Sequence, residues 1–553
     1  MRTSVLSACI LLTASIAAAQ PSIATGGIVN ASSYLTKLAP NTVFVIFGTG
    51  LGPGTIQTAP APNYPLTLGG TSINFTPAAG GAAVDARMVY TLGGQICGVL
   101  PSSITPGTYA VRVTYNGQTS APKNVTVVER SFGVATAFSS GTGLAQATIG
   151  NINGGVSLTR FTAGSTTFDG RQWTLGSAHP GDTVVLWGTG GGADSKNDTG
   201  GSSGDQTAAG TFRVNLSGRL LTPLYAGTSP GYPGLWQINF VIPTDATIDC
   251  FGSVQVMASG ETGNTVILPI AAAGQNGCSD PQISTQGLAK LDTNADLFVG
   301  AFAIARVGAT PLAQAESASG AFFRFTTDQW MHVNTGPKFD RCVINDRSYV
   351  VGTKEPGTPT LAIDAGPRLS LAGPGIPPVT FMNLVDTALG PFYSYSTQTS
   401  VLQGGGVYTI SGTTSGNSVG AFTASVTFPT TFTATNWDSI LTIDRTQPLT
   451  FTWTGTGIDQ IGIIIGTSLT TGGLQHLTTL QCSVPAGPGT YTIPPAALAG
   501  LLPSTLTGTS FGSMSINGEN TLGKFTANLT KGGTLDIGSF ISEISFSKNI
   551  VVQ

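Results

Sequence analysis

Residues 40–50, PNTVFVIFGTG, recur 140 positions later as residues 180–190, PGDTVVLWGTG. A second block, QICGVLP at 95–101, returns as QINFVIP at 237–243, at an offset of 142. A third block, VRV at 111–113 before the turn sequence NGQT, returns as VQV at 254–256 before SGET. Three blocks in one order at nearly one offset indicate that the first half of the chain contains one structural unit twice.

The repeated blocks have the chemistry of β-strands. Val43, Val45 and Phe47 alternate along the chain, which predicts one face of a half-buried strand. Asn116-Gly117 between two alternating runs predicts a β-hairpin. We therefore predict two immunoglobulin-like β-sandwich modules, at residues 20–129 and 130–275.

The first module resembles a known group of proteins. GIVNASSY at 27–34, the Pro40 block and LGGTS at 68–72 are similar in order to an uncharacterised family of exported acidobacterial (Solibacter-type) proteins with tandem IPT/TIG-like modules. The resemblance covers residues 26–272 and implies an immunoglobulin-like fold and export. It implies no catalytic residues. Cys97 departs from the pattern, because the second module has Asn239 at the matching position.

Beyond residue 275 the repeat ends, but the β-type pattern continues. Leu449 to Gly455 alternates apolar residues with threonine, and similar strands are predicted at 322–325, 348–351, 407–410, 422–428 and 541–546. Residues 493–502 form the only helix that we predict. The predicted fold is all-β: tandem immunoglobulin-like sandwiches followed by further β-sandwich units, a β-rich domain at 276–400 and a sandwich-like domain at 401–553.

The low content of charged residues argues against one class of function. Charged residues make up 9% of the chain, against roughly 25% in a typical soluble domain. The net charge is −3 and no basic run occurs, which argues against nucleic-acid binding.

The N-terminus has the pattern of a secretory signal peptide at residues 1–19: Arg2, then an apolar stretch, then Ala17-Ala18-Ala19. An alternative is a lipoprotein signal with Cys9 as the acylated residue. No later apolar run reaches the roughly 20 residues that span a bilayer. We expect a secreted, cell-surface or periplasmic protein without a transmembrane segment.

In an exported protein we expect some of the five remaining cysteines to form disulfides, and the odd number leaves at least one unpaired. Cys250 and Cys278 flank a predicted strand pair, which predicts a bridge between them. Cys342 with Cys482 is a second candidate pair, and Cys97, in an apolar strand, is predicted to be a free, inert thiol.

Two sets of residues are candidates for ligand binding. Asp194, Asn197, Asp198 and Asp205 share a Gly/Ser-rich loop whose oxygen atoms suit calcium, with a solvated loop as the alternative. Among the aromatic and charged residues, four are candidates for a binding surface: Trp236, Trp330, Asp340 and Arg341. Trp236 aligns with Gly94 of the first module, so an exposed aromatic side chain is expected there. No cofactor other than calcium is indicated.

Two functions fit these observations. The first is a non-catalytic binding, adhesive or structural protein of the cell exterior, contacting a polysaccharide, the envelope or surface proteins. The alternative is a secreted glycoside hydrolase with its catalytic region in 276–553. A hydrolase needs two carboxylates roughly 5 to 10 Å apart. The sequence marks no such pair, and Asp340 facing Asp346 or Asp364 across an open groove would favour this function.

Overall fold

The computed structural model describes residues 20–553 except 151–155, 169, 309–314, 354–356, 360, 388–389, 398, 414–417, 472 and 506–508. The predicted signal peptide lies outside the described residues. The fold is all-β, with immunoglobulin-like sandwiches in tandem followed by further β-sandwich structure. The chain divides into two compact units. Of the described residues, one unit comprises those within 20–131, 189–204 and 228–236, and the other comprises those within 132–188, 205–227 and 237–553.

The first module forms two five-stranded sheets, β1-β2-β7-β6-β3 and β10-β8-β4-β5, with β9 beside β8. Phe44 and Ile46 of β2 face the core between the sheets, where Phe44 meets Phe75 edge-on at 5.4 Å. Val45 is buried on the opposite face against Cys97, so both faces of this strand are covered, rather than the one face that alternation predicts. Its strands are β1 Ser22–Asn30, β2 Val43–Thr49, β3 Gln57–Thr58, β4 Thr71–Pro77, β5 Val84–Asp85, β6 Arg87–Leu92, β7 Gln95–Val99, β8 Gly107–Tyr115, β9 Gln118–Thr119 and β10 Lys123–Val127.

The second module repeats this construction. Its sheets run β14-β15-β13-β12-β16-β20-β19, with β11 beside β16, and β18-β17-β21-β22, with β23 beside β21. Its strands are β11 Gly133–Val134, β12 Ala147–Gly150, β13 Val156–Thr159, β14 Gly164–Phe168, β15 Arg171–Gly176, β16 Thr183–Thr189, β17 Arg213–Leu216, β18 Arg219–Leu221, β19 Tyr225–Thr228, β20 Trp236–Val241, β21 Asp249–Ala258, β22 Glu261–Thr262 and β23 Val266–Ile270.

The two modules also share a backbone hydrogen bond at equivalent positions. The Asn41 amide donates to the Leu100 carbonyl at 2.9 Å, and 140 residues later the Gly181 amide donates to the Ile242 carbonyl at 2.9 Å. Asn41 and Gly181 both have positive φ, 60° and 92°. Asn and Gly adopt this conformation most readily, which explains why one module has Asn and the other has Gly at this position.

The C-terminal region is built on one large sheet, in the order β26-β27-β38-β37-β40-β42-β24-β25-β31-β30-β29-β32-β33. It takes strands from both sides of residue 400, where the sequence predicts a boundary between two domains. Its strands are β24 Leu297–Val307, β25 Ala315–Phe325, β26 Lys338–Phe339, β27 Cys342–Val350, β28 Leu361–Ile363, β29 Arg368–Ala372, β30 Thr380–Thr387, β31 Gly390–Thr397, β32 Val407–Gly412, β33 Phe422–Thr427, β34 Thr431–Ala434, β35 Thr442–Ile443, β36 Leu449–Thr456, β37 Gln460–Thr471, β38 Leu474–Pro485, β39 Thr490–Ile493, β40 Ser510–Glu519, β41 Gly523–Lys524, β42 Ile537–Asn549 and β43 Val551–Val552.

A smaller sheet, β34-β36-β39, packs on this large sheet. Phe451 and Trp453 of β36 are buried in the shared core with Ile461 and Ile463 of β37. Thr450 and Thr454 face solvent, as the alternation in this segment predicts. The region is therefore a β-sandwich at this point.

In the described part of the chain, three α-helices interrupt the strands: α1 Thr285–Asp292, α2 Thr327–Asn334 and α3 Pro495–Leu498. The prediction of a single helix at 493–502 was therefore wrong, although α3 lies within it. Helix α2 begins with a capping box between Thr326 and Gln329. These two residue types at this spacing mark the start of a helix in the sequence. No helix among the described residues combines the length and the apolar character needed to cross a bilayer.

Candidate functional site

Trp236 is fully buried, with 0% of its surface exposed. The expectation of an exposed aromatic at this position was wrong, and its reason is steric. A Cβ atom on Gly191 would lie 2.3 Å from the Trp236 ring, so the ring fills the space that this glycine leaves. In the first module the large and the small residue are exchanged. The buried Leu51 stands at the position of Gly191, and Gly94 stands at the position of Trp236.

The predicted calcium loop is densely hydrogen-bonded within the chain. Asp194, 3% exposed, accepts hydrogen bonds from the Thr228 hydroxyl at 2.6 Å and from the Ser203 amide and hydroxyl at 2.9 and 2.7 Å. Burial pushes the pKa of Asp194 up, but these hydrogen bonds outweigh it and hold the pKa below its ordinary value. Its oxygens are therefore already occupied, unlike those of a solvated loop.

The other three residues of this set also have partners in the protein. Asn197 is fully buried and accepts from the Gly234 amide at 2.7 Å. Asp198 accepts from the Ser102 amide at 3.1 Å. Asp205, in the other compact unit, accepts from the amides of Thr207 and Ala226, both at 3.0 Å. Among the described residues no group of three or more His, Cys, Asp or Glu side chains is arranged to hold a metal ion.

The structure places the remaining predicted binding residues on two segments, helix α2 and the turn before β27. Trp330 lies on α2, half-buried and edge-on to Phe325 at 5.6 Å between ring centroids. Asp340 lies in the turn before β27 and accepts from the Tyr491 hydroxyl at 3.2 Å. Arg341, the next residue, is exposed and lines a cavity.

This cavity is one half of a groove in the C-terminal region. Two cavities, of about 460 and 440 Å³, share Pro281, Gln282 and Lys524 in their walls. We call them together the Lys524 groove, and the 440 Å³ half the Arg341 chamber. The polar residues that line the chamber are Gln282, Arg341, Asp459, Gln460, Ser483, Thr521 and Lys524.

Strand ends bring these residues together. Asp459 precedes β37 and donates its amide to the Glu519 carbonyl at the end of β40, at 2.8 Å. Lys524 belongs to the two-residue strand β41, which pairs with β42 through Ser539. The 281–282 segment is held by Asp280, whose carboxylate accepts from the Gln282 and Ile283 amides at 2.7 and 2.9 Å.

Both disulfides lie beside the groove. Cys342 and Cys482 are bridged, and they are the neighbours of the groove residues Arg341 and Ser483. Cys250 is bridged to Cys278, which directly precedes the groove segment starting at Ser279. Both predicted bridges are confirmed. Cys97 is free, and burial raises the pKa of its thiol to about 12, so the thiol stays protonated.

The carboxylates that line the groove are already engaged. Asp459 accepts from the Thr521 amide at 3.0 Å and from its hydroxyl. Asp536, with a side chain 1% exposed, forms an ion pair with Lys290 at 2.7 Å. Asp280 holds the two amides described above. The hypothetical acid pairs of Asp340 with Asp346 or Asp364 line neither half of the groove.

An unpredicted pair of carboxyl groups lies on adjacent strands of the large sheet. Glu519 of β40 stands directly opposite Glu543 of β42, a position that places the Cβ atoms about 4.5–5.5 Å apart. Burial, together with the charge of Glu543, raises the pKa of Glu519 to about 7, and burial raises the pKa of Glu543. Neither residue lines the groove.

A larger cavity of about 700 Å³ lies in the first module. Its wall consists of the loops at 77–84 and 103–109, which contribute no charged side chain. It offers a ligand fewer directional contacts than the groove does, so we take the groove as the candidate site.

No protein-family model matches the chain, and no curated protein sequence matches it. Among solved structures, it is similar to SGBP-B of a Bacteroides ovatus mixed-linkage glucan utilization locus in complex with a mixed-linkage heptasaccharide. The identity is 12%, over 58% of this chain and 68% of that one, with a TM-score of 0.20.

A second similar structure is SGBP-B from a complex xyloglucan utilization locus in Bacteroides uniformis, at 10% identity over 96% of this chain and 98% of that one, with a TM-score of 0.16. A third is an I-band fragment of titin, at 9% identity over 68% and 95% of the two chains, with a TM-score of 0.11. At these TM-scores the likenesses carry no argument for a function.

Proposed function

We propose that this chain is an exported, non-catalytic binding protein of the cell exterior that holds a polysaccharide in the Lys524 groove. The observation that carries the proposal is the lining of the groove. It presents amide, hydroxyl and cationic side chains, while its carboxylates are engaged by the protein itself. Sugar hydroxyls are bound by such polar groups, and hydrolysis of a glycosidic bond would require two available carboxyl groups.

The shape of the groove supports a polymer as the ligand. Its two halves adjoin at Lys524 and Gln282, so a chain of sugar units could run from one to the other. Covalent bridges next to both walls reduce the ordering that binding would require, which favours affinity. Two disulfides are typical of proteins outside the reducing cytosol, which supports export.

The test is a panel of soluble and insoluble polysaccharides, with and without calcium, presented to the purified chain from residue 20. We expect binding that is lost when Gln282 and Gln460 are both replaced by alanine. Gln172→Ala, an exposed glutamine on β15, is the matched control and should leave binding unchanged. A panel without any binding would remove the proposal, and a strict calcium requirement would revive the metal prediction.

One observation favours a second candidate, a glycoside hydrolase. Glu519 and Glu543 are close, and the raised pKa of Glu519 is a property of a general acid. Release of reducing ends from any polysaccharide of the panel, abolished by Glu519→Gln and by Glu543→Gln, would establish it. Binding without release would leave the pair a structural feature of the sheet.

A further inference from the structure

Two cationic side chains share the wall of the Arg341 chamber in a chain that is poor in charge. Lys and Arg together number 23 in 553 residues, yet Arg341 and Lys524 both line this 440 Å³ space. Both are exposed. Within the part of the chain that the structure describes, neither forms an ion pair with an acidic side chain. Such a convergence of cations favours an anionic ligand.

The charge of the chamber limits the charge of that ligand. Arg341 and Lys524 contribute two positive charges, and Asp459 contributes one negative charge. One oxygen of the Asp459 carboxylate accepts two hydrogen bonds from Thr521, which hold the carboxylate in the chamber wall. The net charge of +1 is balanced by a single carboxylate, whereas a phosphate monoester carries about two negative charges at neutral pH.

We propose that the Arg341 chamber binds the carboxylate of an acidic sugar, so that the ligand of the groove is a polysaccharide containing uronic acid. This rests on the proposed function and adds the class of polymer. The guanidinium of Arg341 offers paired N–H donors that match the two oxygens of a carboxylate. Lys524 adds a second charge at the junction of the two cavities, and Gln460 and Gln282 provide amides for the ring hydroxyls.

The experiment compares polygalacturonate fragments with the same fragments after complete methyl esterification, which removes the charge and keeps the rings. Wild type should bind the acidic fragments at least tenfold more tightly at low ionic strength, because hydrogen bonds between charged groups are the stronger kind. The preference should shrink as salt rises, since these exposed charges are screened.

Variants assign the preference to the chamber. Arg341→Gln and Lys524→Gln should each weaken binding of the acidic fragments by roughly tenfold and so reduce the preference for acidic over esterified fragments. Lys531→Gln, at another exposed lysine, should behave as wild type. Both target side chains are exposed, so the variants should fold, and unchanged thermal unfolding would verify this.

The outcomes separate the two proposals. Equal affinity for both fragments, or full affinity in both variants, would overturn the acidic-sugar assignment and leave polysaccharide binding intact. Binding only to neutral polysaccharides would also overturn the acidic-sugar assignment and leave polysaccharide binding intact. Absence of binding to every polysaccharide would overturn both.

Discussion

Cys342 and Cys482 lie directly opposite each other on β27 and β38, with 4.0 Å between their Cα atoms. The next pair outward, Arg341 and Ser483, is joined by a hydrogen bond from the Ser483 amide to the Arg341 carbonyl at 3.0 Å. The covalent bridge therefore fixes the relative position of two groove residues that are distant in sequence. Loss of the bridge should affect the groove as well as stability.

We predict that replacing both Cys342 and Cys482 with alanine lowers the free energy of unfolding by about 2–5 kcal/mol and weakens polysaccharide binding. Urea unfolding followed by tryptophan fluorescence measures the first effect. Dithiothreitol should destabilise wild type and Cys97→Ala equally, because Cys97 forms no bridge. Identical unfolding midpoints for wild type and the double variant would contradict the prediction.

Gly188 should tolerate no side chain. A Cβ atom there would lie 2.1 Å from the Gly133 carbonyl oxygen of the neighbouring strand, and the equivalent Gly48 would place one 2.0 Å from that of Ser22. We expect Gly188→Ala to cost about 1–3 kcal/mol or more, because backbone must move. Gly94→Ala is the control, since its Cβ would have no neighbour closer than 3.9 Å. If Gly188→Ala and Gly94→Ala have equal thermal stability, the neighbouring strand moves away from residue 188 without a cost in stability, and the prediction is wrong.

The Glu519–Glu543 pair should make stability depend on pH. The pKa of Glu519 rises from 4.5 to about 7 on folding, so the folded state retains a proton that the unfolded state releases. The contribution of Glu519 to the free energy of unfolding is then fully present below pH 4.5 and is lost as pH rises towards 7, by on the order of 3 kcal/mol.

Glu519→Gln removes this titration and should be more stable than wild type at pH 8. Glu543→Gln should shift the remaining decline to lower pH, because it removes the charge that opposes ionisation of Glu519. Urea unfolding between pH 4 and pH 8 measures both effects. A wild-type stability that rises across this range would contradict the assignment.

Trp236 should contribute to stability and not to binding. Truncation of a fully buried tryptophan to alanine costs about 3–5 kcal/mol, and Trp236→Phe should cost less. Folded Trp236→Phe should bind polysaccharide with wild-type affinity. If this variant folds fully and loses binding, the ligand site includes the Trp236 region and the groove assignment is incomplete.

Local patterns predicted much of the fold. The alternation in Leu449 to Gly455 corresponds to β36, and the Asn116-Gly117 turn joins β8 to β9 with positive φ at both residues. The helices α1 and α2 were missed because each has only eight residues, too few for a clear period of 3.6. The burial of Trp236 was also missed, although the exchange of Leu51 for Gly191 in the aligned sequences signalled it.

The groove was only partly predictable. Arg341 was selected because polar residues cluster around it in the sequence. Its partners come from four other segments, at 281–282, 459–460, 483–485 and 521–524, and no local pattern connects them. They meet because strands β37, β38, β40 and β41 each have one end at the same place. That meeting depends on the order of the strands in a sheet that pairs segments distant in sequence.

The pairing of β24 with β42 has a consequence for how the chain is made. The two strands are parallel, with Val299 opposite Ile537, about 240 residues apart, a high contact order that slows folding. Until the later strand is synthesised, one edge of the 11-residue β24 lacks its native neighbour. An uncovered strand edge is a template for pairing between molecules, so a ribosome that stalls before residue 537 should release a product that aggregates.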